Sequence, residues 1–212
     1  RDRVASRGLW DVYKRQIYGY VRLADEIVDS FHDYNKERLI SQLRKETIES
    51  IEQRISLNPI INSFQNTVNK YNIEWELIDS FLKSMEYDID HKNCDTNSYK
   101  KYIAGSAEAV GLMCLRVFVN GNNQEYLKLK PYAISLGAAF QKINFLRDLR
   151  EDYDILDRQY FPDFKIKKFN NEKKKIIEQE IELDFKKSLD GIKMLKKDAR
   201  RGVYLAYLYY TS

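Results

Sequence analysis

Apolar residues recur every three or four positions along most of the chain, which is the spacing of amphipathic α-helices. No segment shows the strict alternation of a half-buried β-strand, and no internal repeat is evident. The pattern therefore predicts an all-α protein. The clearest example is the fourth predicted helix, whose apolar face consists of Leu77, Ile78, Phe81, Leu82, Met85 and Ile89.

Capping and turn residues divide this pattern into consecutive helices. Asn35 is predicted to cap the second helix, and Pro59 suits the first turn of the third. Asn97 or Ser98 is predicted to cap the fifth, which should run without interruption to the turn at "NGNN". In chain order, the helices are predicted over about residues 17–31, 36–55, 59–70, 77–89 and 99–119, then a helix holding residues 144–153 and a tract from residue 171.

The first sixteen residues, "RDRVASRGLWDVYKRQ", lack a clean helical stripe. They resemble translated adapter sequence of the kind found at the ends of metagenomic assemblies, and a genuine basic arm is the alternative. We interpret residues 1–16 as a non-native segment and residues 17–212 as one partial domain.

Two of the predicted helices carry polar residues aligned along one face. At such spacings the side chains lie one above another, and two carboxylates one turn apart repel each other unless a cation lies between them. Each stripe therefore indicates a cation site. The first helix carries Tyr18, Arg22, Asp25 and Asp29, and the sixth carries Gln141, Asn144, Asp148 and Asp152.

These stripes have the chemistry of a magnesium–phosphate site. Mg²⁺ typically uses one or two carboxylates, with water and phosphate oxygens at its other positions. Arg22 and Arg147 would then meet the phosphate oxygens. A solvated helix face is the alternative for either stripe alone, but both stripes are continued by uncharged polar residues, which favours a site.

The helix at "YIAGSAEAVG" carries several small side chains. Gly105, Ser106, Ala107 and Gly111 would let a neighbour approach its backbone closely. The neighbour is either a ligand or a tightly packed helix. Tyr102 on the same helix is likewise either part of a cavity wall or part of the core.

Composition narrows the class of protein. The chain of 212 residues is long enough for a substantial core, and its net charge of +4 is too small to indicate nucleic-acid binding. Two cysteines and two histidines without metal-ligand spacing indicate a reduced, cytoplasmic protein without a zinc site. The apolar stretch "AVGLMCLRVFV" is too short to span a bilayer, which leaves peripheral contact with the inner membrane as the membrane alternative.

Three segments, "YGYVRLADEIVD", "YIAGSAEAVGLMC" and "LGAAFQKINFLRDLREDY…DRQYFP", resemble the squalene/phytoene synthase family in their order and spacing, and most closely its bacterial phytoene synthases. The resemblance implies the isoprenoid synthase fold, a helical bundle around a central cavity. It also implies head-to-head condensation of two geranylgeranyl diphosphates to phytoene through a cyclopropyl diphosphate, the first step of carotenoid biosynthesis. The alternatives are a squalene or dehydrosqualene synthase using farnesyl diphosphate, or a catalytically silent assembly or binding protein of the same fold.

The resemblance also implies residue roles. Arg22, Tyr102 and the four motif aspartates would take part in catalysis, with Mg²⁺, or Mn²⁺ instead, as the cofactor; NADPH is not expected for the phytoene reaction. The implied metal ligands are Asp25, Asp29, Asn144, Asp148 and Asp152. The implied substrate-binding residues are Tyr18, Arg22, Gln141, Arg147 and Arg158.

Two expectations concern the ends of the chain. The family has a further helix before Tyr18 and more helix after "YLAYLYY", so the chain is expected to be truncated at both ends and to be a weak catalyst or none. The expected partner is a prenyl diphosphate substrate, and the sequence leaves the oligomeric state open.

Overall fold

The computed structural model describes the backbone of residues 2–90, 96–154, 161 and 171–211, and the side chains of residues 12–89, 97–149, 161 and 171–211. Within these ranges the regular structure is entirely helical, which confirms the all-α prediction. The helices are α1 (Asp2–Asp29), α2 (Lys36–Gln53), α3 (Pro59–Tyr71), α4 (Trp75–Asp90), α5 (Thr96–Ile103), α6 (Ala109–Phe118), α7 (Asn123–Asp154), α8 (Asn171–Met194) and α9 (Lys197–Thr211), with a π-helical turn at Ala104–Glu108.

Local capping signals place the early helices as predicted. The Asn35 side chain accepts a hydrogen bond from the backbone N–H of Arg38 at 2.8 Å, which caps α2. Asn58 caps α3, with Pro59 at the first helical position. The "NGNN" turn lies between α6 and α7, and Gly121 there has φ of +71°.

The first helix begins earlier than the pattern predicted, at Asp2 instead of about residue 17. The part of α1 just before Ile17 contacts α3: Thr67 donates to the Gln16 amide oxygen at 2.5 Å, and the Tyr13 ring lies edge-on to that of Tyr71 with ring centroids 5.1 Å apart. One polar and one aromatic contact do not produce a clean apolar stripe in the sequence. The non-native origin of residues 1–16 stays a prediction.

The predicted fifth helix is interrupted by the π-helical turn, and it begins at Thr96, so Asn97 and Ser98 lie inside its first turn instead of capping it. Close backbone approach accompanies the interruption. A side chain at Gly105 would collide with the carbonyl oxygen of Ser80 and would lie 2.9 Å from the Cβ of Ser84. The turn therefore packs directly against α4, as the helix-packing alternative predicted.

One side of α1 forms the centre of the largest core cluster. Tyr20 is fully buried, its ring stacks on Phe64 at 3.9 Å, and its hydroxyl hydrogen-bonds that of Thr47 at 2.9 Å. Ile17 and Ala24 are also fully buried on this side. The adjacent face of α1, which carries Tyr18 and Val21, borders the cavity described below.

The apolar helix α6 is anchored by a buried arginine. Arg116 is 7% exposed, forms a bidentate ion pair with Glu74, and lies 3.5 Å from the ring centroid of Tyr126. None of the helices described here is long and apolar enough to cross a membrane.

Candidate functional site

A cavity of about 670 Å³ lies between α1, the π-helical turn, α6, α7, α8 and α9. This volume is in the range of pockets that hold small molecules. Its wall is mainly apolar or small, and it includes Val21, Ala107, Val110, Gly111, Leu136, Gly137, Phe140, Ile192, Val203 and Ala206.

Two of the predicted site residues lie on this wall, Tyr18 from α1 and Asn144 from α7. Tyr18 is 67% exposed, so its ring lies at an open edge of the cavity. The Oδ1 atom of Asn144 is buried and has no hydrogen-bond partner. A buried amide oxygen without a partner is suited to a ligand atom or a cation.

The first carboxylate of each stripe lies one turn beyond the cavity wall. Asp25 follows Val21 by four residues on α1, and Asp148 follows Asn144 by four on α7, so each continues the wall-forming face of its helix. Burial and, to a smaller extent, the charge of Asp29 raise the pKa of the Asp25 carboxyl to about 6, although the charge of Arg22 opposes them. A cation beside Asp25 would relieve this repulsion.

The two arginines predicted to bind diphosphate, Arg22 and Arg147, each pair with an acidic residue of their own helix. Arg22 forms an ion pair with Glu26. Arg147 donates from Nε and Nη2 to the two carboxylate oxygens of Asp148, at 2.7 and 2.6 Å. This bidentate hydrogen bonding raises the pKa of Arg147, to which Tyr210 also contributes. Contact of either arginine with diphosphate stays a prediction.

Among the side chains that the structure describes, no three histidine, cysteine, aspartate or glutamate residues are arranged to hold a metal ion. The side chain of Asp152 and all of Arg158 lie outside the described residues. The predicted metal ligands that are described all offer oxygen atoms: the amide oxygen of Asn144 and the carboxylates of Asp25, Asp29 and Asp148. That donor set fits a hard cation such as Mg²⁺.

Tyr102 lies in an aromatic core cluster and does not line the described cavity. It is 7% exposed, its hydroxyl donates to Asp88 Oδ2 at 2.5 Å, and its ring lies 5.8 Å from that of Phe145. Gln141 is half-buried on α7 and is also not part of the cavity wall. Of the two alternatives for Tyr102, the structure thus favours the core; its catalytic role stays a prediction.

Three residues around the site were not singled out from the sequence. Asp88 could have been found, because it continues the buried stripe of Phe81 and Met85 on α4. Lys142 pairs with Asp184 at 3.0 Å and with Glu180 at 3.2 Å, which joins α7 to α8. Burial and the charge of Asp184 raise the pKa of Glu108 in the π-helical turn, while Lys142 lowers it. No local signal connects residues so far apart in sequence.

Comparison with known proteins agrees with this architecture. The family model described as squalene/phytoene synthase matches residues 15–211. The phytoene synthase of Mycobacterium tuberculosis (strain ATCC 25618 / H37Rv) is 24% identical over 149 residues, covering 69% of this chain and 46% of that protein. The 4,4'-diapophytoene synthase of Staphylococcus haemolyticus (strain JCSC1435) is 25% identical over 169 residues, covering 77% and 55%. The chain spans about half the length of the curated relatives it matches.

Two solved structures have the same fold. A dehydrosqualene synthase in complex with ligand superposes with a TM-score of 0.79 at 20% identity, covering 93% of this chain and 73% of that one. Squalene synthase HpnC from Alicyclobacillus acidocaldarius gives a TM-score of 0.79 at 16% identity, covering 99% and 85%. The predicted isoprenoid synthase fold is thereby confirmed.

Proposed function

Because the chain belongs to the squalene/phytoene synthase family, we propose that it joins two geranylgeranyl diphosphates head to head to form phytoene. The observation that supports this is the form of the cavity. Its apolar wall leads to Asn144, and Asp148 and Asp25 continue the same helix faces one turn further. An apolar chamber bordered by oxygen donors suits a ligand with a long hydrocarbon tail and an anionic head.

The metal-ion part of the proposal uses the two polar stripes. Asp25, Asp29, Asn144, Asp148 and Asp152 would hold Mg²⁺, which when bound neutralises diphosphate and makes it a better leaving group. Arg22 and Arg147 would exchange their present partners, Glu26 and Asp148, for diphosphate oxygens.

The cavity wall would protect the reacting carbons. Cleavage of the bond between C1 and the diphosphate oxygen of one substrate leaves an allylic cation, which the double bond of the second substrate attacks. Loss of a proton then closes a cyclopropane ring that still carries the second diphosphate. Phe140 and Tyr210 both line the cavity, with ring centroids 4.4 Å apart, and their faces would stabilise positive charge. Where it encloses the bound chains, the apolar wall would exclude the water that captures the cation.

The alternative within the same family is condensation of the shorter farnesyl diphosphate to squalene or dehydrosqualene. The test incubates the protein, together with a version carrying the full length of its parent gene, with geranylgeranyl or farnesyl diphosphate and Mg²⁺. Each substrate is tested with and without NADPH. We expect the full-length version to form phytoene from geranylgeranyl diphosphate without NADPH, and the chain itself to form little or none. Product from farnesyl diphosphate alone would favour the alternative, and no product from the full-length version with either substrate would favour a silent protein of this fold.

A further inference from the structure

Ser106 combines a place on the cavity wall with a buried hydroxyl group. It lies in the π-helical turn and lines the cavity, and its Oγ atom is buried without a hydrogen-bond partner. Among the described side chains, Asn144 Oδ1 is the other buried polar atom of this kind, and Asn144 lines the same cavity. The two residues with an unsatisfied buried atom therefore border one cavity.

The four buried serines in the described part of the chain behave differently. Serine hydroxyls in helices commonly bond to a carbonyl oxygen of the preceding turn. In the π-helical turn, the Ala109 N–H donates to the carbonyl of Ala104, five residues earlier, so the carbonyls do not follow the regular α-helical pattern. In the four buried serines, by contrast, the hydroxyl donates to a backbone carbonyl oxygen three or four residues earlier. These bonds run from Ser50 to Thr47 at 2.8 Å, from Ser84 to Phe81 at 2.6 Å, from Ser135 to Pro131 at 3.2 Å and from Ser188 to Phe185 at 2.8 Å.

Packing contacts show how far apart Ser106 and Asn144 lie along the helix axes. A Cβ at Gly137 would lie 2.8 Å from the carbonyl oxygen of Ala107, and one at Gly111 would lie 3.3 Å from that of Ala133. The two helices therefore run antiparallel, and Ser106 lies level with about residue 138. Asn144 is six residues further along α7, which corresponds to about 9 Å at 1.5 Å per residue.

The side chains of the two residues lean toward each other. Each Cα–Cβ bond in a helix tilts toward the N-terminus of its own helix. Because the two helices are antiparallel, this tilt brings Ser106 Oγ and Asn144 Oδ1 closer together than their backbones. A polar group several atoms long could therefore reach both residues.

We propose that Ser106 binds the diphosphate group of the substrate, donating its hydroxyl hydrogen to a phosphate oxygen. This assignment rests on the proposed function, in which the metal-bound end of the same group lies near Asn144. The hydroxyl gains the partner that the π-helical turn denies it, and the phosphate oxygen gains a donor inside a mainly apolar cavity. Hydrogen bonds to charged groups in such surroundings are stronger than those between neutral groups.

The test measures binding of a probe that ionises slowly, geranylgeranyl S-thiolodiphosphate with Mg²⁺, by isothermal titration calorimetry. Ser106→Ala should weaken its binding about tenfold or more. Ser188→Ala is the matched control, because that serine lines the same cavity while its hydroxyl is already bonded to Phe185; it should stay within about twofold. Geranylgeraniol, which lacks phosphate, should bind both variants as it binds the wild type.

A second pair of variants separates the hydroxyl from the shape of the side chain. Ser106→Thr keeps the hydroxyl and should bind the thiolodiphosphate more tightly than Ser106→Val, which has nearly the same shape without it. Equal affinity of Ser106→Ala and wild type overturns the assignment and leaves the proposed function standing. Equal weakening toward the thiolodiphosphate and geranylgeraniol also overturns it, since the loss would then not involve phosphate. Failure of the wild type to bind the thiolodiphosphate overturns both proposals.

Discussion

Replacing Asp25 with asparagine should change how the stability of the metal-free protein depends on pH. Burial, with the neighbouring charge of Asp29, raises the pKa of the folded-state Asp25 carboxyl from 3.8 to about 6. Between these two values the folded protein binds more protons than the unfolded chain, so its free energy of unfolding falls as pH rises. Above pH 6 the ionised carboxylate remains in an unfavourable site.

The size of the effect follows from the shift. About two pKa units at 1.36 kcal/mol per unit give a loss of about 3 kcal/mol between pH 4 and pH 7 as an upper value. Asparagine keeps the shape of the side chain and does not ionise. Asp25→Asn should therefore match the wild type near pH 4 and exceed its stability by up to about 3 kcal/mol near pH 7.

The assay is urea denaturation with EDTA at pH 4.5, 5.5, 6.5 and 7.5, followed by circular dichroism. Asp33→Asn removes the same charge from an exposed position shortly after α1 and is the matched control. The reasoning would be refuted if the difference in unfolding free energy between wild type and Asp25→Asn stayed the same at all four pH values. Added Mg²⁺ should stabilise the wild type above pH 6 and have less effect on Asp25→Asn, because the cation needs the ionised carboxylate.

Two further substitutions test other parts of the structure. In the version that carries the full length of the parent gene, Asp148→Asn should lower turnover by at least about 100-fold, as expected for loss of a metal ligand. It should change the free energy of unfolding by less than about 1 kcal/mol, because the pair of Asp148 with Arg147 is partly exposed; near-normal turnover at ordinary Mg²⁺ concentration would contradict the ligand role. Gly105→Ala should lower the unfolding free energy by about 1–3 kcal/mol, since the added methyl group collides with α4. Gly19→Ala, which meets no atom within 4 Å, should leave that free energy unchanged or raise it, and similar melting temperatures for the two would argue against close packing at Gly105.

Features that depend on neighbouring residues in the sequence could be predicted from it. The caps at Asn35 and Asn58 require side chains two or three positions from the groups they bind, and the two polar stripes follow from helical spacing alone. These local rules sufficed for α2, α3 and α4, and for placing Asp25 on the face of Tyr18 and Asp148 on the face of Asn144.

Features that depend on packing could not be predicted. The π-helical turn accompanies the close approach of α4 to Gly105, and nothing in "YIAGSAEAVG" specifies which helix comes that near. Tyr102 reaches Asp88 across two helices, so its position in the core could not be separated from a position in the cavity. The pairing of Lys142 with Asp184 joins residues 42 apart in sequence.

The π-helical turn between α5 and α6 also accommodates one residue more than a regular helical turn. The Ala109 N–H bonds to the carbonyl five residues earlier, at Ala104, where an α-helix would use the carbonyl four residues earlier. Deleting one residue within Ala104–Glu108 would therefore close the turn as a regular α-helix, and Tyr102 would keep its direction relative to Val110 and Gly111 on the cavity wall. A one-residue gap in this segment of a relative thus means loss of the widened turn around Ser106, and not a change in which side chains of α5 and α6 face the cavity.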